Sequence, residues 1–155
     1  FTLSGCASQY TSTIEGSKYD EVKNETNYFV TPYGNVSIPG KWEKEHKNAV
    51  SGQQFFINKD SVNLAIAFNK CTGYSFNTKN QYKGFAFTKA FYKWDSQYFV
   101  DTYGLKRTMI EEDSTNKFVL YRIFGNTGKV EIDTYYLTAE HNGNSSNFSI
   151  SINDK

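Results

Sequence analysis

The run Val62-Asn63-Leu64-Ala65-Ile66-Ala67-Phe68 constrains this chain more than any other stretch. Read as a strand, it puts Val62, Leu64, Ile66 and Phe68 on one face and Asn63, Ala65 and Ala67 on the other, because successive side chains of an extended backbone point to opposite sides. Alanines on the second face, where charged residues would mark solvent, call for cover on both sides. Small side chains there leave room for a close neighbour, expected to be a helix, so this strand is expected at the centre of a sheet. It forms the second arm of a hairpin whose first arm is Gln53-Gln54-Phe55-Phe56-Ile57. The connecting Asn58-Lys59-Asp60 has the chemistry of a turn.

One segment carries a helical period. Phe87, Phe91, Trp94, Tyr98 and Leu105 draw a single apolar stripe, with Lys89, Lys93 and Asp101 off that line. Gly104 stands where a left-handed residue would end the helix. The stripe reads as core rather than as a cofactor site.

Upstream, a short strand is expected before Pro32-Tyr33-Gly34 and another over 35–38, stopped by Pro39-Gly40. Downstream, strands are expected over 107–112, 118–124, 130–137 and 148–152, joined by the turn residues 125–128 and 142–144. Val119, Tyr121 and Ile123 oppose Phe118, Leu120 and Phe124, so both faces of that strand are expected to be covered. Phe148, Ile150 and Ile152 alternate with Ser149, Ser151 and Asn153, the pattern of a half-exposed edge. Strands grouped around one helix specify an α+β fold, an antiparallel β-sheet with one main amphipathic helix packed on it.

Composition excludes several classes. A chain of 155 residues has room for one domain, burying roughly two thirds of its unfolded surface. Seventeen basic against sixteen acidic residues leave a net charge of +1, too weak a field to recruit nucleic acid. The 13 Phe and 12 Tyr favour strands, where flat rings pack on a pleated surface. No apolar run reaches the roughly 18 residues of a spanning helix.

The chain begins Phe-Thr-Leu-Ser-Gly-Cys. Leu3-Ser4-Gly5-Cys6 resembles the lipobox of bacterial lipoproteins, in which an apolar residue and two small ones precede the cysteine that becomes the mature N-terminus. The resemblance implies that residues 1–5 are the remnant of a signal peptide and that Cys6 is the lipidation site. Diacylglycerol and fatty-acyl groups of the palmitate type would anchor the protein, each buried methylene contributing about 0.8 kcal/mol. Ala7 and Ser8, where a retention signal would place Asp, are similar to the outer-membrane sorting pattern and imply a periplasm-facing protein. Residues 7–26 are polar without sustained period and are expected to form a flexible tether. The expected organisation is a lipidated N-terminus and tether over 6–27 and a single domain over 28–155. If Cys6 is not lipidated, a Cys6–Cys71 disulfide is the alternative.

Little in the chain points to catalysis. Cys71 has no nearby His and reads as inert. His46 and His141 lie in polar segments, without the spacing of a metal pair, and are expected in exposed loops. Glu131 and Asp133 share one strand face about 7 Å apart, within the range of paired hydrolase carboxylates. Glu111-Glu112-Asp113 reads as a charged turn. No phosphate loop, G-x-S-x-G or Cys/His cluster is present, so no cofactor or metal is expected. Trp42 reads as a core plug, and it and the aromatic segment 74–85 are the places to look for binding.

The segments "YGNVSIPGKWEK" and "SGQQFFINKDSVNLAIAF", the aromatic helix and the C-terminal hairpins resemble the PsbP/Mog-type superfamily of α/β/α sandwiches. The matching positions are Ile38, Pro39, Trp42, Gln53, Gln54, Ser61, Val62 and Leu64. The resemblance covers about 28–155 and implies a non-enzymatic accessory protein, with no catalytic residue carried over. Together these readings give a lipid-anchored binding or accessory protein of the bacterial cell envelope, held to the outer membrane by its acyl chains and contacting a protein partner. The alternatives are a chaperone-like or toxin-neutralising (immunity) lipoprotein that binds one specific polypeptide, and an envelope hydrolase using Glu131 and Asp133.

Overall fold

A computed structural model describes residues 12–152. Ten strands and one helix follow in the order β1 (Ile14–Asp20), β2 (Glu25–Thr31), β3 (Gly34–Pro39), β4 (Glu43–Lys47), β5 (Gln54–Ile57), β6 (Val62–Lys70), α1 (Phe85–Tyr103), β7 (Lys106–Asp113), β8 (Phe118–Asn126), β9 (Glu131–His141) and β10 (Asn144–Ile152). Strands β1-β2-β3 form one sheet, and β4-β5-β6-β10-β9-β8-β7 a second. Every pairing is antiparallel. The fold is α+β, with a single helix packed on the larger sheet.

Strand β6 is interior and covered on both faces. Leu64, Ile66 and Phe68 are buried with Phe56 of β5 against Tyr28, Val30 and Ile38 of the small sheet. Tyr28 meets Phe56 edge-on at 5.1 Å and stacks on Phe68 at 6.0 Å. Each such side chain contributes about 1.5–3 kcal/mol on burial, and these contacts join the two sheets. On the opposite face Ala65 and Ala67 are also buried. The connection between β6 and α1 reaches over this side near Ala67: the Tyr74 hydroxyl is within hydrogen-bond distance of Asn69 and Asn147, and Asn147 pairs with Ala67.

Helix α1 meets the sheet through a row other than the expected stripe. Phe85, Tyr92 and Phe99 pack on Val119, Tyr121 and Ile123 of β8 with Leu105. The expected stripe divides: Phe87 and Phe91 are buried in a separate cluster with Cys71, Tyr74 and Phe76, while Trp94 and Tyr98 are 43% and 54% exposed. An aromatic-rich helix carries two apolar rows, and the stronger one in sequence faces the connection rather than the sheet. Gly104 ends the helix in the left-handed conformation (φ 67°), its N–H bonded back to Val100.

Three further expectations change, and one strand is new. The tether does not extend to residue 27: positions 14–27 lie in β1, the β1–β2 turn and the first half of β2. β2 does alternate inward, but its first inward residue is Thr26, whose Oγ1 donates to the Gly40 carbonyl and accepts from the Trp42 N–H, so the hydrophobic period is hidden. No residue of β1 is buried; pairing with β2 and the Glu15 salt bridges to Lys44 and Lys47 on β4 hold it. Strand β10 is not an edge but sits between β6 and β9. Its serine face is the helix side, where Ser145 is fully buried and hydrogen-bonded. Strand β8 is covered on one face only, since Phe118, Leu120 and Phe124 are half-buried. Finally β4, Glu-Lys-Glu-His-Lys, forms an exposed edge that no apolar pattern announces. The lipidation of Cys6, and its alternative pairing with Cys71, fall on a residue outside those described.

Gly34 shows how closely the two sheets approach, since a Cβ built there would clash with the Phe68 ring. Phe68 is held among Tyr28, Phe148 and the strand core and has nowhere to move. Gly34→Ala is expected to destabilise the fold by about 1–3 kcal/mol, measured by urea unfolding. An unchanged midpoint would show that the sheets are not in such close contact.

Candidate functional site

The connection between β6 and α1 is ordered by buried polar groups. Two short 3-10 turns, Cys71–Gly73 and Ser75–Asn77, are fastened by Asn77. Its amide donates to the carbonyls of Cys71 and Tyr82 at 3.1 Å and accepts from the Tyr82 N–H at 2.8 Å. Asn77 is fully buried, and these bonds offset the cost of burying its amide. The Tyr74 hydroxyl is the second fastening, within hydrogen-bond distance of Asn69, Ser145 and Asn147. Cys71 is buried beneath, its thiol pushed up to about 12 by desolvation and by the Glu140 carboxylate. It carries no thiolate for nucleophilic chemistry at neutral pH.

Fixing this connection builds a shallow groove on the outer side of α1. It is lined by Phe76 and Tyr82 of the connection, by Trp94 and Tyr98 of the helix and by the polar Lys93, Gln97 and Asp101, around a volume of about 590 Å³. Phe76 and Tyr82 lie in the aromatic segment 74–85 that the sequence singles out. Trp94 and Tyr98, read from the sequence as core, are surface residues instead. The signal that could have shown this was a count: one helix cannot bury two aromatic rows on one sheet.

Trp42 lines a second cleft of about 540 Å³ with Asn24, Gly40, Lys41, Asn58 and Asp60. Its indole N–H donates to the Pro39 carbonyl at 2.9 Å, and its ring packs half-buried against the β2–β6 core. It is a plug at the end of the two-sheet interface, and the cleft beside it is polar.

Among the described residues nothing covers the face of the large sheet opposite α1 over β8, β9 and the outer part of β10. Leu120, Phe124 and Leu137 are half-buried, while Tyr135 and Ile150 are each 41% exposed. In their midst the Arg122 guanidinium lies 4.7 Å from the Phe124 ring and 5.6 Å from Tyr135. It donates from Nε and Nη2 to the two Asp133 oxygens at 2.6 and 2.7 Å. The guanidinium beside Asp133 holds its carboxyl below the usual carboxylate range. Glu131 and Asp133 line neither the groove nor the Trp42 cleft. Asp133 is thus the fixed partner of Arg122, and Glu131 is exposed at the start of β9.

The other titratable residues are positioned as follows. His46 is exposed on edge strand β4, not in a loop, stacked on Phe55 at 4.6 Å. His141 ends β9, exposed beside Asn142. Glu111, Glu112 and Asp113 close β7; Glu112 pairs with Lys89 of α1, and Asp113 accepts the Thr115 and Asn116 N–H groups of the next turn. Among the described residues no group of His, Cys, Asp and Glu could hold a metal ion. Glu140 is 7% exposed and accepts from the Gly143 N–H at 2.7 Å, with the Lys117 ammonium 3.6 Å away. It lies beside Gly84 at the start of α1, where unpaired helix N–H groups favour negative charge.

Between α1 and the sheet, Asp95 accepts the Tyr121 hydroxyl at 2.6 Å. Tyr121 is fully buried, stacked on Tyr136 at 5.2 Å and met edge-on by Tyr92 at 4.9 Å. Arg107 crosses the Tyr92 ring and donates to Ser96 rather than to Asp95. Desolvation raises the Asp95 carboxyl, and the Tyr121 hydrogen bond offsets this in part.

Comparison with solved structures finds similarity to the solution structure of cyanobacterial PsbP (CyanoP) from Synechocystis sp. PCC 6803. The two are 15% identical, and the match covers 98% of this chain and 87% of that one with a TM-score of 0.44. No protein-family model matches the chain, and no curated protein does.

The Asp95 carboxyl gives a test of the helix–sheet contact. Its folded pKa lies above the ordinary 3.8, so the folded state binds this proton more tightly than the unfolded chain. Its stabilisation is complete below that value and is lost as pH rises through the folded pKa. Asp95→Asn retains an acceptor for Tyr121 and cannot ionise. Relative to wild type, its urea midpoint is expected to rise as pH climbs from about 4 towards neutrality. A difference that does not change with pH would mean that Asp95 is solvated.

Proposed function

We propose that this chain is a lipid-anchored binding protein of the bacterial cell envelope whose open sheet face docks a polypeptide partner. The observation that carries the reading is the surface over β8, β9 and the outer part of β10, uncovered among the described residues, where Arg122 lies against Phe124 and Tyr135 among Leu120, Leu137 and Ile150. The same sheet face is covered over β5 and β6 by the small sheet. Arg and aromatic residues, with a desolvated apolar surround, are the composition of binding hot spots. Arg122 is already oriented by Asp133 and its two ring neighbours, so little side-chain entropy remains to be lost on docking.

The anchor is supported by Leu3-Ser4-Gly5-Cys6. Two or more acyl chains on Cys6 hold a protein durably at a bilayer surface, and the residues after Cys6 favour the periplasmic side of the outer membrane. No helix among the described residues is long and apolar enough to cross a membrane. A single-partner role of the chaperone or immunity kind would use the same surface, and the number of polypeptides captured distinguishes the two.

Two measurements test these proposals separately. Mass spectrometry of protein from its native host is expected to show a diacylglyceryl thioether on Cys6, with Cys6→Ser released from membranes; an unmodified thiol removes the anchor. Quantitative capture from native membranes is expected to recover a polypeptide with wild type that Tyr135→Glu loses, at an exposed position where the fold tolerates the charge. Identical capture by both proteins would sink the docking surface.

A further inference from the structure

The geometry points to a second binding site, on the opposite side of the large sheet: the groove along the outer face of α1 takes a neutral saccharide. This inference is independent of the polypeptide-docking reading, since it uses other residues on the other face.

The helix carries more aromatic surface than its packing covers. Phe85, Tyr92 and Phe99 supply its contact with the sheet, and Phe87 and Phe91 its contact with the connection. Trp94 and Tyr98 nevertheless stand exposed one turn apart, about 6 Å along the axis, and line the groove with Tyr82, itself 39% exposed. The indole is fixed rather than loose. It meets Tyr74 at 5.9 Å, Phe76 at 5.4 Å and Phe91 at 5.8 Å, three rings that together set its plane. A ring held in advance loses little entropy when a ligand stacks on it.

Beside the aromatic ridge runs a polar one. Lys93, Gln97 and Asp101 follow at the same four-residue spacing, and the Gln97 amide is oriented by donating to Asp101 Oδ1 at 2.7 Å. That row offers an ammonium donor, an amide carbonyl acceptor and a carboxylate acceptor. Its two formal charges cancel. A sugar ring presents polarised C–H bonds on one face, which suit the negative face of an aromatic ring, and hydroxyls around its edge, which need both donors and acceptors. The two ridges match those two parts. An apolar helix laid here would strip water from Lys93 and Asp101 without replacement. A polyanion would meet Asp101 and no net positive field. The shallow, open shape suits a flat ring rather than an enclosed small molecule.

The test uses the full chain with Trp42→Phe, so that Trp94 is the remaining indole, titrated with chitohexaose, cellohexaose and maltohexaose. We expect at least one to change Trp94 emission saturably, with half-saturation at about 1 mM or below. Tyr98→Ala and Gln97→Ala are expected to weaken that response about tenfold, while circular dichroism and the Tyr135→Glu surface stay unaffected. The proposal is overturned if none of the three gives a saturable change, or if the change survives both substitutions. Displacement of a bound glycan by an amphipathic apolar peptide, with tighter half-saturation than the glycan, would also overturn it and assign the groove to polypeptides.

Discussion

Strand β6 has to satisfy two layers at once, and the rest of the molecule is arranged around that requirement. One face carries Leu64, Ile66 and Phe68, and its burial brings in the small sheet through Tyr28, Val30 and Ile38. The other face carries alanines and must be covered by something flat and close, because a small side chain leaves an open space that no polar group can fill cheaply. The connection to α1 meets this need with rings. Tyr74 lies over the strand, its hydroxyl spanning β6 and β10, and Phe76, Phe87 and Phe91 pack around it. The helix is therefore placed by the strand's second face as well as by its own contact with β8.

This arrangement divides the large sheet. Near β6 it is the middle layer of three, with the small sheet on one side and the aromatic connection on the other. Toward β8 and β9 it has the helix on one side and nothing on the other among the described residues. That asymmetry produces two surfaces of different character. The open sheet face is a mixed apolar field with one fixed guanidinium. The outer helix face is a pair of ridges, aromatic and polar, raised on a rigid connection. Both are built from side chains whose orientation is set by neighbours beyond the surface itself, such as Asp133 for Arg122 and the Tyr74 cluster for Trp94.

Charge placement follows the same division. Glu140 is buried beside the start of α1, with the Lys117 ammonium 3.6 Å away. Asp95 lies half-buried between α1 and β8, where it accepts the Tyr121 hydroxyl. Asp133 is exposed and paired. Three carboxylates thus have three different environments, and each serves to orient a structural neighbour: the helix start, Tyr121 and Arg122.

What the sequence by itself determined is the local material: the Asn58 hairpin turn, the Pro39-Gly40 stop, the extent of α1 with Gly104 at its end, and an antiparallel α+β class. These depend on neighbours within a few residues, where dihedral preference and side-chain period are decided. The tertiary structure decided which faces are inside. Thr26 and Ser145 are buried because Trp42 and Tyr74 supply their hydrogen bonds from distant parts of the chain, so polar letters there did not mean solvent. Trp94 and Tyr98 are outside because α1 buries its other aromatics first, a competition for one finite sheet area that no periodicity encodes. A pattern reports what a side chain prefers, and only the packed partners settle whether that preference is met.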